Sequence, residues 1–455
     1  MALNVQIISE ETIKPSSLAP EHLKIHKLSC MDQAAPPRYT PILLSYPDTQ
    51  IPSSYQHGAM VVEKLKSSLS ETLSHYYPFA GRYRDDGYSI DCNDKGVAFV
   101  VAHVSDDKTT SSSSTVDVGG LEEEELLQLM PCHPQETWVD ENGELVLLAI
   151  RVNFFESTGI SIGICAWHGV CDGPTISFFA QSWAAICRGD PQVQRLLNGN
   201  AVVDYGSMFP AHHSLDYIRS TGSYFDTSDD HKTRTAVKQF LVPGPKIDAL
   251  REEITRSTGK RPSRVVVVSS LVWAAAIRVS REKRKARRRD EDGINELHSA
   301  AMIVNIRART NPPLPPMCMG NLFQRSATAK WPIKGEEAAA LSDLAGRLGD
   351  VVRGVDAEFL RKAHEKGGEG YKEFMRSWWE EYEKEDFIVI TSLCGYGKEG
   401  GVDFGWGNPG STRGYARSNK TITLMDAKDG QGIEVWATLD KDDMAIFEKD
   451  PTWST

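Results

Sequence analysis

Apolar and polar positions follow two periods along the chain, and the elements they predict succeed one another irregularly. Residues 59–77 place Val62, Leu65, Leu69, Leu73 and Tyr76 on one face, the spacing of an amphipathic helix. That helix is expected to end in Tyr77-Pro78-Phe79-Ala80-Gly81-Arg82, where Pro78 stops it and Gly81 permits a turn. Val5–Ile8, Ile42–Tyr46, Ser89–Asp91 and Val97–Val101 read as strands, the last two around the turn Asn93-Asp94-Lys95-Gly96. Leu145–Phe155 and Ser161–Trp167 are stronger strands, paired through Glu156-Ser157-Thr158-Gly159. Beyond Trp167, Ile176, Phe179, Trp183 and Cys187 return at helical spacing, with Pro174 just inside the helix and Asp172 placed to cap it.

The second half restarts with a strand at Gln239–Val242 and a helix at Ile247–Ser257. Ser263-Arg264 opens a further helix carrying Val267, Leu271, Ala274 and Ala275. A strand at Ala301–Arg307, a helix from about Glu336 to Leu360 and a strand at Phe387–Thr391 follow. Thr421–Met425 and Ile433–Leu439 close a hairpin around Asp429-Gly430. Irregular alternation of strands and helices in both halves predicts an α/β (α+β) fold. Between the halves periodicity weakens, around Pro210, His212-His213 and Thr221–Asp230. The expected division is a domain at 1–190, a crossing linker at 191–235 and a domain at 236–455.

Length and composition narrow the class. At 455 residues the chain is long enough for two ordinary domains, and its net charge of -11 excludes a general nucleic-acid binder. Eight scattered cysteines with no C-x-x-C pair, several in apolar runs, predict free thiols and a reducing compartment. The first ten residues lack a basic segment followed by a long apolar one, and no apolar run is long enough to span a bilayer. A cytoplasmic protein without membrane contact is expected. Glu122–Glu125 reads as a solvated helix face and Arg281–Arg289 as a solvated basic loop, phosphate steering being its alternative role. The His212-His213 pair is not read as a metal site, since adjacent side chains diverge and no third ligand lies nearby in sequence.

The candidate chemistry sits in Trp167-His168-Gly169-Val170-Cys171-Asp172-Gly173. An imidazole leaving a rigid strand end is well mounted to take a proton from an alcohol and hand it on. The beginning of the helix at Ser263-Arg264 is a candidate anion site, because helix N-termini present free N–H groups to phosphates.

His168-x-x-x-Asp172-Gly173 together with Asp403-Phe404-Gly405-Trp406-Gly407 resembles the plant BAHD acyltransferases, which move an acyl group from coenzyme A to an alcohol or amine. The similarity extends through Tyr76–Arg82, Asp91–Gly96 and Asn305-Ile306-Arg307 to Asn321, and covers nearly the whole chain. Thr12–Ser17 and Gly432–Trp436 resemble the alkaloid and alcohol acetyltransferase branch. The resemblance implies two similar-sized chloramphenicol-acetyltransferase-like domains with a solvent channel between them. Acyl-CoA would enter from one side and the acceptor from the other, with His168 deprotonating the acceptor hydroxyl for direct attack on the thioester. No acyl-enzyme, tightly bound cofactor or metal is expected, and a monomer is.

By the same resemblance Asp172 is structural, turned from the channel and paired with Arg307. Thr391 matches a position whose hydroxyl donates to the oxyanion. Asp403, Gly405, Trp406 and Gly407 support the coenzyme A side from a distance, and Ser263 and Arg264 are the expected phosphate contacts. The chain departs from the pattern after the Thr391 strand. Where relatives have Ser-Trp-x-Arg it has Ser392-Leu393-Cys394-Gly395, and Gly397–Gly401 is lengthened and lacks an aromatic before Asp403. These changes motivate a second class, a catalytically impaired relative that binds a small molecule or protein. A third, a metal-dependent hydrolase, would use His168 and Asp172 as ligands.

Overall fold

A six-stranded mixed sheet and a seven-stranded mixed sheet frame the molecule, with a three-stranded sheet at the side of the first. The computed structural model describes residues 3–47, 58–105, 123–156, 159–193, 197, 202, 204–215, 234–286, 296–333, 340–382, 384, 386–396, 401–414 and 419–453. The first sheet runs Asn4–Ile13, Val97–Ser105, Leu148–Phe155, Gly159–Trp167, Tyr39–Tyr46, Ser411–Arg413. The second runs Phe323–Ala327, Glu296–Asn305, Phe387–Ser392, Thr421–Asp426, Ile433–Asp440, Thr235–Val242, with Trp331–Ile333 also on Glu296–Asn305. The fold is mixed α/β, as the alternation predicts.

Strand Gly159–Trp167 reads as a continuous apolar run because it is covered on both faces; every residue from Ile160 to Trp167 is buried. Its helix-forming continuation, Gly173–Arg188, packs on the helix Ala59–His75, and the Trp183 indole N–H donates to the Leu65 carbonyl at 3.2 Å and to Ser68 Oγ at 3.1 Å. One apolar core lies around the first sheet and a second around the other. Segments cross between them. Phe404 and Trp406, from the second half of the chain, belong to the first core, while Cys30, Met31 and Ala34 belong to the second.

Several expectations need correction. Ser89–Asp91 and Val97–Ser105 are strands but not a hairpin: the former pairs with Ile25–Lys27 and Arg82–Tyr83, the latter with Asn4–Ile13. Gly81 is extended (φ −91°), and its glycine is required by space, since a Cβ there would lie 2.5 Å from the Asp91 carbonyl oxygen. Strand Glu296–Asn305 ends before Arg307, which begins a one-turn helix. The long helix is two, Leu341–Gly354 and Ala357–His364, because Asp356 caps the second through the Phe359 N–H at 2.8 Å. Residues 334–339, including the expected start at Glu336, lie outside the described residues, as do Ser157, Thr158, 106–122, Thr221–Asp230 and 397–400. Within the expected solvated runs, Glu125 is buried, and Arg281–Ala286 continues the helix Arg264–Ala286. There Lys283 pairs with Asp443 at 2.5 Å and Arg284 with Asp386. The His212 and His213 rings do not diverge; their centroids are 4.1 Å apart.

None of the eight cysteines forms a disulfide. Among the described residues no helix is long and apolar enough to cross a membrane, and no group of three His, Cys, Asp or Glu could hold a metal ion.

Candidate active site

Strand Gly159–Trp167 delivers His168 into a short turn, and Asp172 caps the helix that follows, accepting from the Thr175 N–H at 2.9 Å and its hydroxyl at 2.8 Å. Nothing about Asp172 points at the imidazole. Arg307 grips it bidentately, Nη1 to Oδ2 at 2.8 Å and Nη2 to Oδ1 at 2.9 Å, and the Leu322 N–H donates to Oδ2 at 3.1 Å. Arg307 is saturated in turn by the carbonyls of Cys318 at 2.8 and 2.9 Å and of Gly320 at 3.1 Å. Both charges are buried, at 3% and 2% exposure, so the pair survives desolvation only because every remaining donor and lone pair is answered.

The backbone of His168 is held from both sides. Its N–H donates to the Arg38 carbonyl at 2.9 Å, and Asn321 Nδ2 donates to its carbonyl at 2.5 Å. Asn321 is itself anchored on Asp32 Oδ1, at 2.8 Å through its N–H and 2.9 Å through its side chain. The other oxygen of Asp32 collects the Ser29 N–H, the Ser29 hydroxyl and the Tyr205 hydroxyl, at 2.8, 2.8 and 3.0 Å. Burial nonetheless pushes the Asp32 carboxyl up.

His168 lines two chambers. The larger holds about 950 Å³ of empty space, its solvent-open part included, and the smaller about 720 Å³. Arg38, His168, Gly173, Thr391 and Leu393 line both. The ring is partly exposed there, 6.4 Å from the Phe323 ring centroid, and Nδ1 has no hydrogen-bond partner among the described residues. Burial, and then the Arg38 cation, push the imidazole down to about 4, against a smaller opposing pull from Asp172. His168 is therefore neutral at neutral pH, the form that accepts a proton.

His168, Asp172 and Thr391 thus share the larger chamber. Ser263 and Arg264 line neither. Ser263 Oγ accepts from the Val266 N–H at 3.2 Å and lines a separate cleft with Lys260, Arg261 and Arg353. The Arg264 guanidinium reaches Asp426 at 3.5 Å, the Gly432 carbonyl at 2.9 Å and the Gln431 carbonyl. The Asp403–Gly407 turn also stands apart from both chambers. Asp403 Oδ1 accepts from the Gly405 and Gly407 N–H groups at 2.8 Å each, and φ values of +106° and +98° explain the glycines. Phe404 packs edge-on to Trp183 at 4.9 Å, and Arg188 donates to the Asp403 carbonyl at 2.9 Å. The turn is seated on the far end of the helix that Asp172 caps.

Sequence reasoning missed Arg38, Phe323, Arg325 and Tyr396, and the whole helix Gly367–Tyr382, which supplies Trp378, Trp379 and Tyr382 to the larger chamber. That helix has a readable signal: Tyr371, Met375, Trp378, Trp379 and Tyr382 recur at helical spacing. The arginines give none, since neither lies in a motif.

Two mixed sheets, with a histidine shared by two chambers, are the frame of the chloramphenicol-acetyltransferase-like acyltransferases. The crystal structure of vinorine synthase superposes with a TM-score of 0.73 over 97% of this chain and 96% of that one, at 29% identity. F. sporotrichioides TRI101 complexed with coenzyme A and T-2 shares the fold, with a TM-score of 0.66 at 16% identity, over 94% and 98% of the two chains. Residues 3–453 match the model of the family described as the Transferase family. Limonoid 21-O-acetyltransferase of Citrus sinensis is 35% identical over 453 residues, 98% of this chain and 97% of that protein. Vinorine synthase of Rauvolfia serpentina is 31% identical over 450 residues, 98% and 97% of the two. The chain belongs to this family, the BAHD acyltransferases, and is an acyl-CoA-dependent O-acyltransferase.

Proposed function

We propose that the protein transfers an acetyl group from acetyl-CoA to a hydroxyl of a bulky plant specialised metabolite, a terpenoid or alkaloid alcohol, with His168 as general base. The observation that carries this reading is the placement of a neutral imidazole on the wall common to two chambers, so that thioester and alcohol can reach it from different sides. Relatives whose names specify O-acetylation of limonoids and of stemmadenine support the donor and the class of acceptor. The proton passes from the alcohol to His168 as oxygen attacks the thioester carbon, and then to the departing coenzyme A thiolate. Thr391, lining both chambers, is the proposed donor to the oxyanion. Asp172 and Arg307 hold the turn that carries His168 and do not touch substrate.

For the phosphates of coenzyme A, Ser263 and Arg264 are the proposed contacts, supported by the cleft that Ser263 forms with Lys260 and Arg261. The Asp403–Gly407 turn is proposed as a remote brace. The test is acetyl transfer from acetyl-CoA to a panel of limonoid and indole-alkaloid alcohols, read by mass spectrometry. An acetylated product with at least one alcohol is expected; binding of alcohols with no transfer to any of them would favour the impaired relative.

A further inference from the structure

The larger chamber contains a guanidinium that no acidic side chain among the described residues answers. Arg325 is 6% exposed and lines the chamber on the strand Phe323–Ala327, two residues from Phe323 and on the same face. Its Cζ lies 5.0 Å from the Phe323 ring centroid, and that ring is 6.4 Å from the His168 ring. The charge therefore sits about one aromatic ring away from the proposed base. A second ring, Trp378, lies 5.8 Å from Cζ, and the hydrogen bonds of the guanidinium are long: Tyr371 Oη at 3.4 Å, the Ala34 carbonyl at 3.4 Å and Met375 Sδ at 3.6 Å.

Arg307 gives the contrast within the same molecule. That buried guanidinium has two carboxylate bonds at 2.8 and 2.9 Å and carbonyls at 2.8 to 3.1 Å. A brace is saturated at charge-assisted distances; Arg325 is not. Keeping an unmatched guanidinium out of water is costly, and such groups gather where a ligand supplies the missing charge. The lining reinforces the point. Asp172 is the one acidic residue among the described residues lining the chamber, and Arg307 holds both its oxygens.

We propose that Arg325 binds a carboxylate carried by the acceptor, so that the alcohol acetylated is a hydroxy acid, and thereby sets specificity for it. The planar fork of arginine suits a carboxylate bidentately. This inference rests on the acyltransferase reading and narrows its substrate class.

Calorimetric titration of the full chain tests it with the triterpenoid oleanolic acid against its methyl ester, beside acetyl-CoA as the donor. The acid should bind at least about tenfold more tightly than the ester, the worth of a charged hydrogen bond. Arg325→Met should bring that ratio to near one, as a bracing role would not. Should Arg325→Met fail to fold, Arg325→Lys keeps the charge without the fork and should still lower the ratio. Equal affinities for acid and ester, or a preference that survives in every Arg325 variant that folds, overturns the proposal. Failure of the wild-type protein to bind acetyl-CoA overturns the acyltransferase reading itself, while the ratio of acid to ester still decides this one.

Discussion

His168 can act as a base only while its ring is neutral, and its surroundings keep it so. Burial and Arg38 hold its pKa at about 4, below the 6.5 of a free imidazole. Between those values the unfolded chain binds a proton that the folded chain refuses, so stability falls as pH drops through about 6.5 toward 4 and recovers as it rises. For catalysis the same depression predicts a kcat/KM that is level between about pH 6 and 8 and declines only toward 4, since the limb follows the folded pKa. A titration of kcat/KM with an acid limb centred near 6.5 would contradict a desolvated ring. Thr391→Val removes the proposed oxyanion donor and should lower kcat by about two to three orders of magnitude. Unchanged turnover would return Thr391 to an ordinary strand role.

At the scale of the element, the helix Gly173–Arg188 organises the site from both ends, carrying His168 and Asp172 before its first turn and meeting the Asp403–Gly407 turn at its last. Its first residue is tightly packed: a Cβ on Gly173 would lie 2.3 Å from Leu393 Cδ2. Gly173→Ala should therefore push the Leu393 side chain into the junction of the chambers and lower kcat/KM. Leu393→Ala in the same protein should recover part of the loss, and steady-state kinetics on the single and double variants checks both. These elements were legible because their periods are local: Ile176, Phe179, Trp183 and Cys187 declare a helix, and the apolar run before His168 declares a covered strand. What escaped depended on distance. Nothing local marks Asp32, whose oxygens are met by Asn321 and Tyr205 from far along the chain, or Arg325, which Phe323, Trp378 and Tyr371 surround. The hairpin expected around Asn93–Gly96 failed for the same reason, because its two strands find partners in different sheets.

Across the whole molecule, two buried carboxylates join the halves. Asp172 takes Arg307 across 135 residues of sequence, and Asp32 takes Asn321 across 289, so the turn bearing His168 is pinned by the second half of the chain. Removing one partner of a buried pair typically costs about 3–5 kcal/mol, because the other charge is left without an answer. Asp172→Ala should accordingly lose both folded protein and rate, read as a lowered melting temperature alongside reduced kcat. Wild-type stability with activity lost would mean that Asp172 takes part in the chemistry. Motifs recognised in the sequence marked Asp172 and Arg307, yet only the fold shows their hydrogen bonds closing over each other.

The most direct measurement is turnover of His168→Ala with acetyl-CoA and an alcohol that the wild-type enzyme acetylates, on protein whose melting temperature matches the parent. A proton acceptor at this position predicts a fall in kcat of about two to four orders of magnitude with acetyl-CoA still bound. Retention of most of the wild-type rate would contradict it and move the base elsewhere in the chambers.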